Sequence, residues 1–438
     1  MFSAVNKKVQ IHGAVNRGFE SVRQLFEQQL HTMAERQVQL CVYHKGAKVV
    51  DLWADLSGGE QFSADSLVNV FSSGKSLEAI AIASLVDKGL ISYDAKITDY
   101  WPEFGANGKA DLTVADLMRH EAGLANFDTS LDIKDLFADN IKQNTIGRII
   151  EQQTSNYERA GNGRREYHAL TRGWIVNELF RRVDPQRRTI GEYLREDISG
   201  PLDADVVVGA SPDELKRVTP VKALGFGYQL MQSLLPRFMG RRIVHNIFQI
   251  LRRLIALMPA LLRSAAGGPP PPLVGMKTLD FFNDHDFSRG ETPSANAKCS
   301  ARGLAKVAAM LAAGGRLDGR EYLGETGWHA MHAHPLEASL GPLLMTRFTQ
   351  GGVDCFKPCP DGVPRLEREF NEGREGFFGW MGLGGALFQW HPELEIGFAF
   401  VPTSLHVLDL LNERGKRYQA EVLRCARELA REAANQSS

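Results

Sequence analysis

Val70-Phe71-Ser72-Ser73-Gly74-Lys75-Ser76 joins an extended apolar run, Leu67 to Phe71, to a helical stretch that reaches Lys88. Two chemistries compete for these residues. Gly74-Lys75-Ser76 is the tail of a phosphate-binding loop, set between strand and helix as such a loop requires. The first glycine of that motif would fall at position 69, which is Asn69, and no later apolar strand ends in a convincing magnesium-binding Asp. A nucleotide site is therefore set aside. Ser72-Ser73-Gly74-Lys75 fits S-x-x-K completely. At a helix start, the i, i+3 spacing places the Lys75 ammonium beneath the Ser72 hydroxyl. A serine hydroxyl is a weak nucleophile until a neighbour takes its proton. A lysine partly desolvated at the positive end of a helix has a lowered pKa and can help to do so. Backbone N–H groups at the same helix start can face a developing oxyanion.

Working outward, Val22, Leu25, Phe26 and Leu30 recur at helical spacing within residues 19–35. The period then changes. Residues 39–43 and 48–53 flank a Lys45-Gly46 turn and read as a β-hairpin with one apolar face. The helix from Ser73 stops at Lys88, with Gly89 just beyond. Residues 92–213 are helical and loop-rich, with helices expected over 112–120 and 170–182. A helix over 300–313, strands over 385–391 and 394–401, and a final helix over 407–433 close the chain. Strands at both ends and a helical middle predict one sheet assembled from both termini. The whole chain, 1–438, then forms one module: an α/β core of residues 15–90 and 295–435 around a helical insert of 91–294.

The least ordinary segment is Arg237 to Arg263. Ile243, Ile247, Leu251, Leu254 and Met258 fall along one helical face, with Arg241, Arg242, Gln249, Arg252 and Arg253 on the other; Gly267-Gly268 and Pro269 to Pro272 follow. This pattern predicts a basic amphipathic helix and a stiff linker over 267–272. It fits a lid over an apolar pocket, a peripheral contact with an anionic membrane, or simple packing on the body. Arginines interrupt every window of about 20 residues, so it is not a membrane span.

Composition removes other classes. The 438 residues carry 51 Lys+Arg against 52 Asp+Glu, a net charge of -1, and so have no global attraction to nucleic acid. Five cysteines, an odd number spread over a long chain, predict free thiols rather than a disulfide scaffold. Cys355 and Cys359 lack a second pair to complete a zinc site. His329, His332 and His334 have spacing a metal could use, but no carboxylate-rich partner motif accompanies them; they read as a solvated helix end. No metal and no cofactor are expected. G-x-S-x-G and H-E-x-x-H are absent. Residues 1–24 are basic but hold no continuous apolar region before a cleavage site, so a cytoplasmic location is expected.

Several segments together resemble the serine β-lactamase and penicillin-binding-protein superfamily. Besides the stretch 70–76, these are Leu90-Ile91-Ser92-Tyr93-Asp94, Tyr100-Trp101-Pro102-Glu103-Phe104 and the run from Leu112 to Leu124. The similarity is greatest to the class C-like branch, which includes family VIII carboxylesterases and eukaryotic β-lactamase-domain proteins. It extends from about Gly13 to Thr403 and is weakest over 237–272. The resemblance implies a β-lactamase/transpeptidase-like α/β (α+β) fold. In that fold an antiparallel sheet built from both chain ends is flanked by helices and carries a mostly helical inserted subdomain.

Carried over to this sequence, the resemblance makes Ser72 the nucleophile and Lys75 its partner. The family's Y-x-N motif falls on Tyr167-His168-Ala169, so Tyr167 shares the proton with Ser72 and Lys75, and the asparagine is missing. Its K-T-G or H-x-G motif falls on Trp380-Met381-Gly382, a W-x-G form that many family VIII esterases share. The backbone N–H groups of Ser72 and Leu383 then form the oxyanion hole, and Trp380, Gly382 and His168 line the substrate pocket. Trp380 supplies an apolar face and one N–H donor, not the cation and hydroxyl that bind a lactam carboxylate. The expected activity is hydrolysis of small-molecule carboxylic esters by an acyl-enzyme. The same fold also serves β-lactamases, DD-peptidases, transacylases and non-catalytic membrane-associated scaffolds.

Overall fold

The computed structural model describes residues 9–58, 62–156, 165–252, 255, 268–340 and 344–437. Opposite ends of the chain supply opposite halves of one sheet. The N-terminal part gives β1 (Ile11–Val15), β2 (Gln37–His44) and β3 (Ala47–Asp55). The C-terminal part gives β4 (Leu336–Leu340), β5 (Leu344–Phe348), β6 (Asp354–Cys355), β7 (Phe378–Met381), β8 (Leu387–His391) and β9 (Ile396–Pro402). Their order is β1-β3-β2-β9-β8-β7-β6-β5-β4, and every neighbouring pair is antiparallel. The two halves meet where β9 pairs with β2, from Ile396 opposite His44 to Pro402 opposite Val38.

Helices cover both faces of this sheet. The longer helices are α1 (Glu20–Thr32), α2 (Lys75–Asp87), α3 (Thr171–Val183), α4 (Phe226–Leu234), α5 (Ala301–Ala312) and α6 (Glu413–Ser437), of which α1 and α6 pack on one face of the sheet and α5 on the other. The two-residue side-chain period of β9 explains why both faces must be covered. Phe398 and Phe400 join the cluster that holds Val22 and Phe26 of α1 and Tyr418 of α6. Ala399 and Val401 join the opposite cluster with Leu304, Ala305 and Ala308 of α5. α2 has apolar side chains on all sides and is buried from Lys75 to Leu85, as suits a helix in the middle of a core. No helix among the described residues is long and apolar enough to cross a membrane.

Two expectations are corrected. The final helix begins at Glu413, not at 407. Asp409 accepts the Glu413 N–H at 2.9 Å and Asn412 sits at φ 49°, so the stretch 407–412 turns before the helix starts. As expected, the region 91–294 is helical and loop-rich, built of short α-helices and 3-10 turns, with two-residue strands such as Lys222–Ala223, which pairs in parallel with Ser404–Leu405. The basic segment is not one helix from Arg237. A 3-10 turn over Arg237–Met239 ends at Gly240 with φ 84°, and irregular backbone continues to Asn246. Helix starts only at Ile247, where Asn246 and Gln249 bond reciprocally, side chain to backbone, at 2.9 and 3.0 Å. That exchange is a capping box, and it fixes the start. Leu254, Met258 and the rest of the expected helix beyond Ile255 lie outside the described residues.

Candidate active site

Ser72 lies in a 3-10 turn, Phe71–Gly74, directly ahead of α2. Phe71 enters that turn at φ 49°, a left-handed conformation costly for a bulky residue. Its ring is buried against Phe282, with centroids 4.7 Å apart, and this packing holds it there. Two glycines let backbone close around the turn. A Cβ on Gly74 would stand 2.2 Å from the Pro293 carbonyl oxygen, and one on Gly382 would stand 2.2 Å from that of Val70. The glycine of the W-x-G motif is thus needed so that the end of β7 can pass beside the strand leading to Ser72.

Lys75 is buried, and its Nζ donates to the carbonyls of Ala169 at 2.7 Å and Ser294 at 3.1 Å. It also stands 4.9 Å from the centre of the Tyr167 ring. Burial pushes the Lys75 pKa well down; the Arg172 charge lowers it further, and Glu78 opposes this only in part. Tyr167 lines the same cleft as Ser72, and its Oη accepts the Trp380 indole N–H at 2.9 Å. Burial pushes the Tyr167 phenol up to about 12, against the opposing pull of the Ser72 and Trp380 side chains. Near neutral pH the phenol therefore keeps its proton.

A buried ion pair fixes this arrangement from below. Arg172 of α3 donates to Glu78 of α2 at 2.8 Å, and its other nitrogens reach the carbonyls of Lys75, Met118 and Gly352 at 2.8 to 3.3 Å. Glu78 also accepts from the Ser294 hydroxyl, so the carbonyl that holds Lys75 is itself held. With both charges of the pair fully buried, such a network sets position more than it adds net stability.

A cleft of about 290 Å³ opens over these groups. Ser72, Tyr167, Trp380, Gly382 and Leu383 all line it, and Leu340, Leu344, Met381, Val407 and Leu410 make its walls mostly apolar. The N–H groups of Ser72 and Leu383 belong to the first turns of short 3-10 segments, Phe71–Gly74 and Leu383–Gly385, where no intrahelical acceptor exists. Among the described residues no Lys or Arg lines the cleft, whereas Asp409 does. Burial alone would raise the Asp409 carboxyl, but the His245 hydrogen bond and the His245 and Arg414 charges outweigh it and hold the group ionised.

Residues 22–421 match the family model described as Beta-lactamase. The chain belongs to the beta-lactamase family. It is 31% identical over 382 residues to the esterase/beta-lactamase LipL of Mycobacterium tuberculosis (strain ATCC 25618 / H37Rv), with 84% of this chain and 76% of that protein covered. Among solved structures it is similar to a novel penicillin-binding protein homolog from Caulobacter crescentus, at 27% identity and a TM-score of 0.72, covering 95% of this chain and 100% of that one. A family VIII carboxylesterase shares the fold, at 24% identity and a TM-score of 0.73 over 95% of this chain and 100% of that one. The protein is a beta-lactamase-fold hydrolase.

Not every candidate residue reaches the cleft of this beta-lactamase-family protein. His168 is fully buried and does not line it. Its Nε2 accepts the Leu124 N–H at 3.1 Å, and its Nδ1 lies 2.6 Å from the Glu166 carbonyl. It is a brace for two loops. His120, to which sequence reasoning gave no role, packs its ring 4.9 Å from that of Tyr167 and accepts the His168 N–H at 3.1 Å. The histidine cluster does not converge on one point. His332 is not solvated but lies between Trp328 and Trp390, bonded to the carbonyl of one and the indole N–H of the other. Among the described residues no group of His, Cys, Asp or Glu could hold a metal ion. Sequence reasoning also missed Asn412, whose amide donates to the carbonyls of Gly382 and Ala386 at 2.9 and 3.2 Å and so shapes the loop carrying Leu383. Its signal was a polar residue just ahead of a helix, hidden by placing that helix start at 407.

Proposed function

We propose that this protein is a serine carboxylesterase that cleaves neutral carboxylic esters through an acyl-enzyme on Ser72. The observation that carries this reading is the 2.9 Å hydrogen bond from Trp380 to Tyr167. The one polar group at the third-motif position is committed to the tyrosine and is not left to pair with a substrate carboxylate.

The chemistry follows from the protonation states. A neutral Lys75 amine has two N–H bonds for the Ala169 and Ser294 carbonyls and one lone pair that can take a proton, and burial favours this neutral form. As Ser72 attacks the ester carbonyl, its proton leaves through the hydroxyl of Tyr167 toward that amine. The oxyanion is met by the N–H groups of Ser72 and Leu383. Tyr167, whose oxygen keeps the Trp380 N–H, then passes the proton held by Lys75 to the leaving alcohol. Water repeats the sequence on the acyl-enzyme. An anionic substrate would meet no described cation in the cleft and one fixed carboxylate, Asp409; a neutral acyl chain would meet leucines, a valine and a methionine.

The test compares kcat/KM for p-nitrophenyl butyrate and for nitrocefin. The ester is expected to exceed the lactam by at least about 100-fold, corresponding to roughly 2.7 kcal/mol of transition-state preference; parity or a lactam preference contradicts the reading. Trp380→Phe keeps an aromatic ring and removes the donor. It is expected to lower kcat about tenfold with little change in KM, the size of one lost hydrogen bond.

A further inference from the structure

α4 is built inside out. Phe226, Leu230 and Leu234, spaced i, i+4, i+8, are 64%, 40% and 64% exposed, whereas Gln229, Gln232 and Ser233 are buried. A helix packed on a water-soluble body has the opposite arrangement. The inward polar groups are satisfied at home. Gln229 donates to the Leu224 carbonyl at 2.8 Å, Ser233 to that of Leu230 at 2.6 Å, and Gln232 accepts the Arg242 N–H at 2.8 Å. Phe238, 89% exposed, Met239 and Phe248 continue the apolar surface. Of the twelve exposed large hydrophobic residues among those described, nine fall between 226 and 255, so this is one surface and not random scatter.

A cluster of arginines adjoins it, of which Arg417 feels the Glu413 and Asp409 charges. A cavity of about 610 Å³ between this segment and α1 is lined by Arg237, Arg241, Arg242 and Arg417 and by no Asp or Glu. Among the described residues none of these four arginines forms an ion pair. Arg242 spends one nitrogen on the Met33 carbonyl at 2.9 Å, and the Nε atoms of Arg241 and Arg242 are buried with no partner. Burial, with the neighbouring Arg237 and Arg417 charges, disfavours the Arg241 cation. An arriving anion relieves all of this at once.

We propose that residues 226–248 dock on an anionic phospholipid surface, with Phe226, Leu234, Phe238 and Phe248 entering the acyl boundary and the four arginines meeting the charged headgroups. The start of this surface lies near the cleft in the fold. The strand that precedes α4 pairs with Ser404–Leu405, the Leu224 N–H donates to the Leu405 carbonyl at 3.1 Å, and Val407 of the cleft wall follows two residues later. Docking therefore brings the cleft toward esters dissolved in lipid. That consequence rests on the esterase reading, whereas docking itself does not.

Vesicle flotation of the full chain carrying Ser72→Ala, which separates docking from turnover, tests the proposal. The protein is expected to float with phosphatidylcholine vesicles containing phosphatidylglycerol and much less with phosphatidylcholine alone. Adding Arg237→Glu with Arg241→Glu, or Leu234→Ser with Phe238→Ser, is expected to weaken flotation at least tenfold. The same pairs in the parent chain should hydrolyse soluble p-nitrophenyl acetate within twofold of the parent, showing that they fold. No flotation with phosphatidylglycerol, or flotation unchanged in both variants, overturns the proposal. So does thermal stabilisation by inorganic phosphate without vesicle binding, which assigns the arginines to a soluble anion. A dimer abolished by Phe238→Ser, again without vesicle binding, assigns the patch to a second copy of the chain.

Discussion

Ser72→Ala is expected to lower kcat/KM for a p-nitrophenyl ester by at least about 10,000-fold, which is roughly 5.5 kcal/mol of transition-state stabilisation. The loss is this large because the nucleophile has no substitute in the cleft. Residual turnover then comes only from binding and from the N–H groups of Ser72 and Leu383 acting on direct attack by water. Stability should hardly change. Ser72 is half-buried, and Tyr167 keeps the Trp380 donor when the serine hydroxyl is removed. Thermal unfolding alongside the kinetics separates the two effects: a large loss of rate with a Tm within a few degrees supports the nucleophile, and a modest loss of rate contradicts it.

Lys75→Met comes second, with an expected fall in kcat of about 1,000-fold or more, in the upper part of the range for a lost general base. The methionine fills similar space but leaves the Ala169 and Ser294 carbonyls without their donor, so some stability is lost as well, about 1–3 kcal/mol for each buried group left unmet. Lys75→Arg is not expected to rescue activity, since a guanidinium stays charged and offers no lone pair. The pH profile carries the sign of the effect. Only the neutral amine is active, so kcat/KM rises with pH as Lys75 loses its proton. Burial lowers that pKa well below 10.5, so the rise is expected to fall at clearly lower pH than the titration of an exposed lysine. Tyr167, pushed up to about 12, gives no falling limb in that range. A half-maximal rate at pH 10 or above would contradict the assignment of Lys75 as base.

The parts of the molecule legible in the sequence are those where local pattern and chemistry coincide. S-x-x-K is local: Ser72 lines one cleft with Tyr167, and Lys75 stands 4.9 Å from the centre of that tyrosine's ring. The hairpin and the strands at the chain ends showed alternation, and they form the two halves of one sheet. Short strands were not legible: β6 has two residues and no period to read. At 407–412 the apolar spacing of Val407, Leu410 and Leu411 imitates a helix, and only the left-handed backbone of Asn412 reveals a turn. Over 237–263 the isoleucine and leucine spacing suggested one helix; the deciding signal was the polar pair Asn246 and Gln249. α4 marks a deeper limit. Periodicity shows that a helix has an apolar face, but not whether that face points into the core. Likewise the Trp380 indole was readable as a donor, while its acceptor, Tyr167, is 213 positions away in the chain.

Intact-mass spectrometry after treatment with a fluorophosphonate ester tests the central claim most directly. The parent chain is expected to gain one phosphonyl adduct, mapped to the peptide containing Ser72. Ser72→Ala should gain none, and Lys75→Met should gain it far more slowly. No adduct on the folded parent chain, or an adduct that persists in Ser72→Ala, would contradict the account.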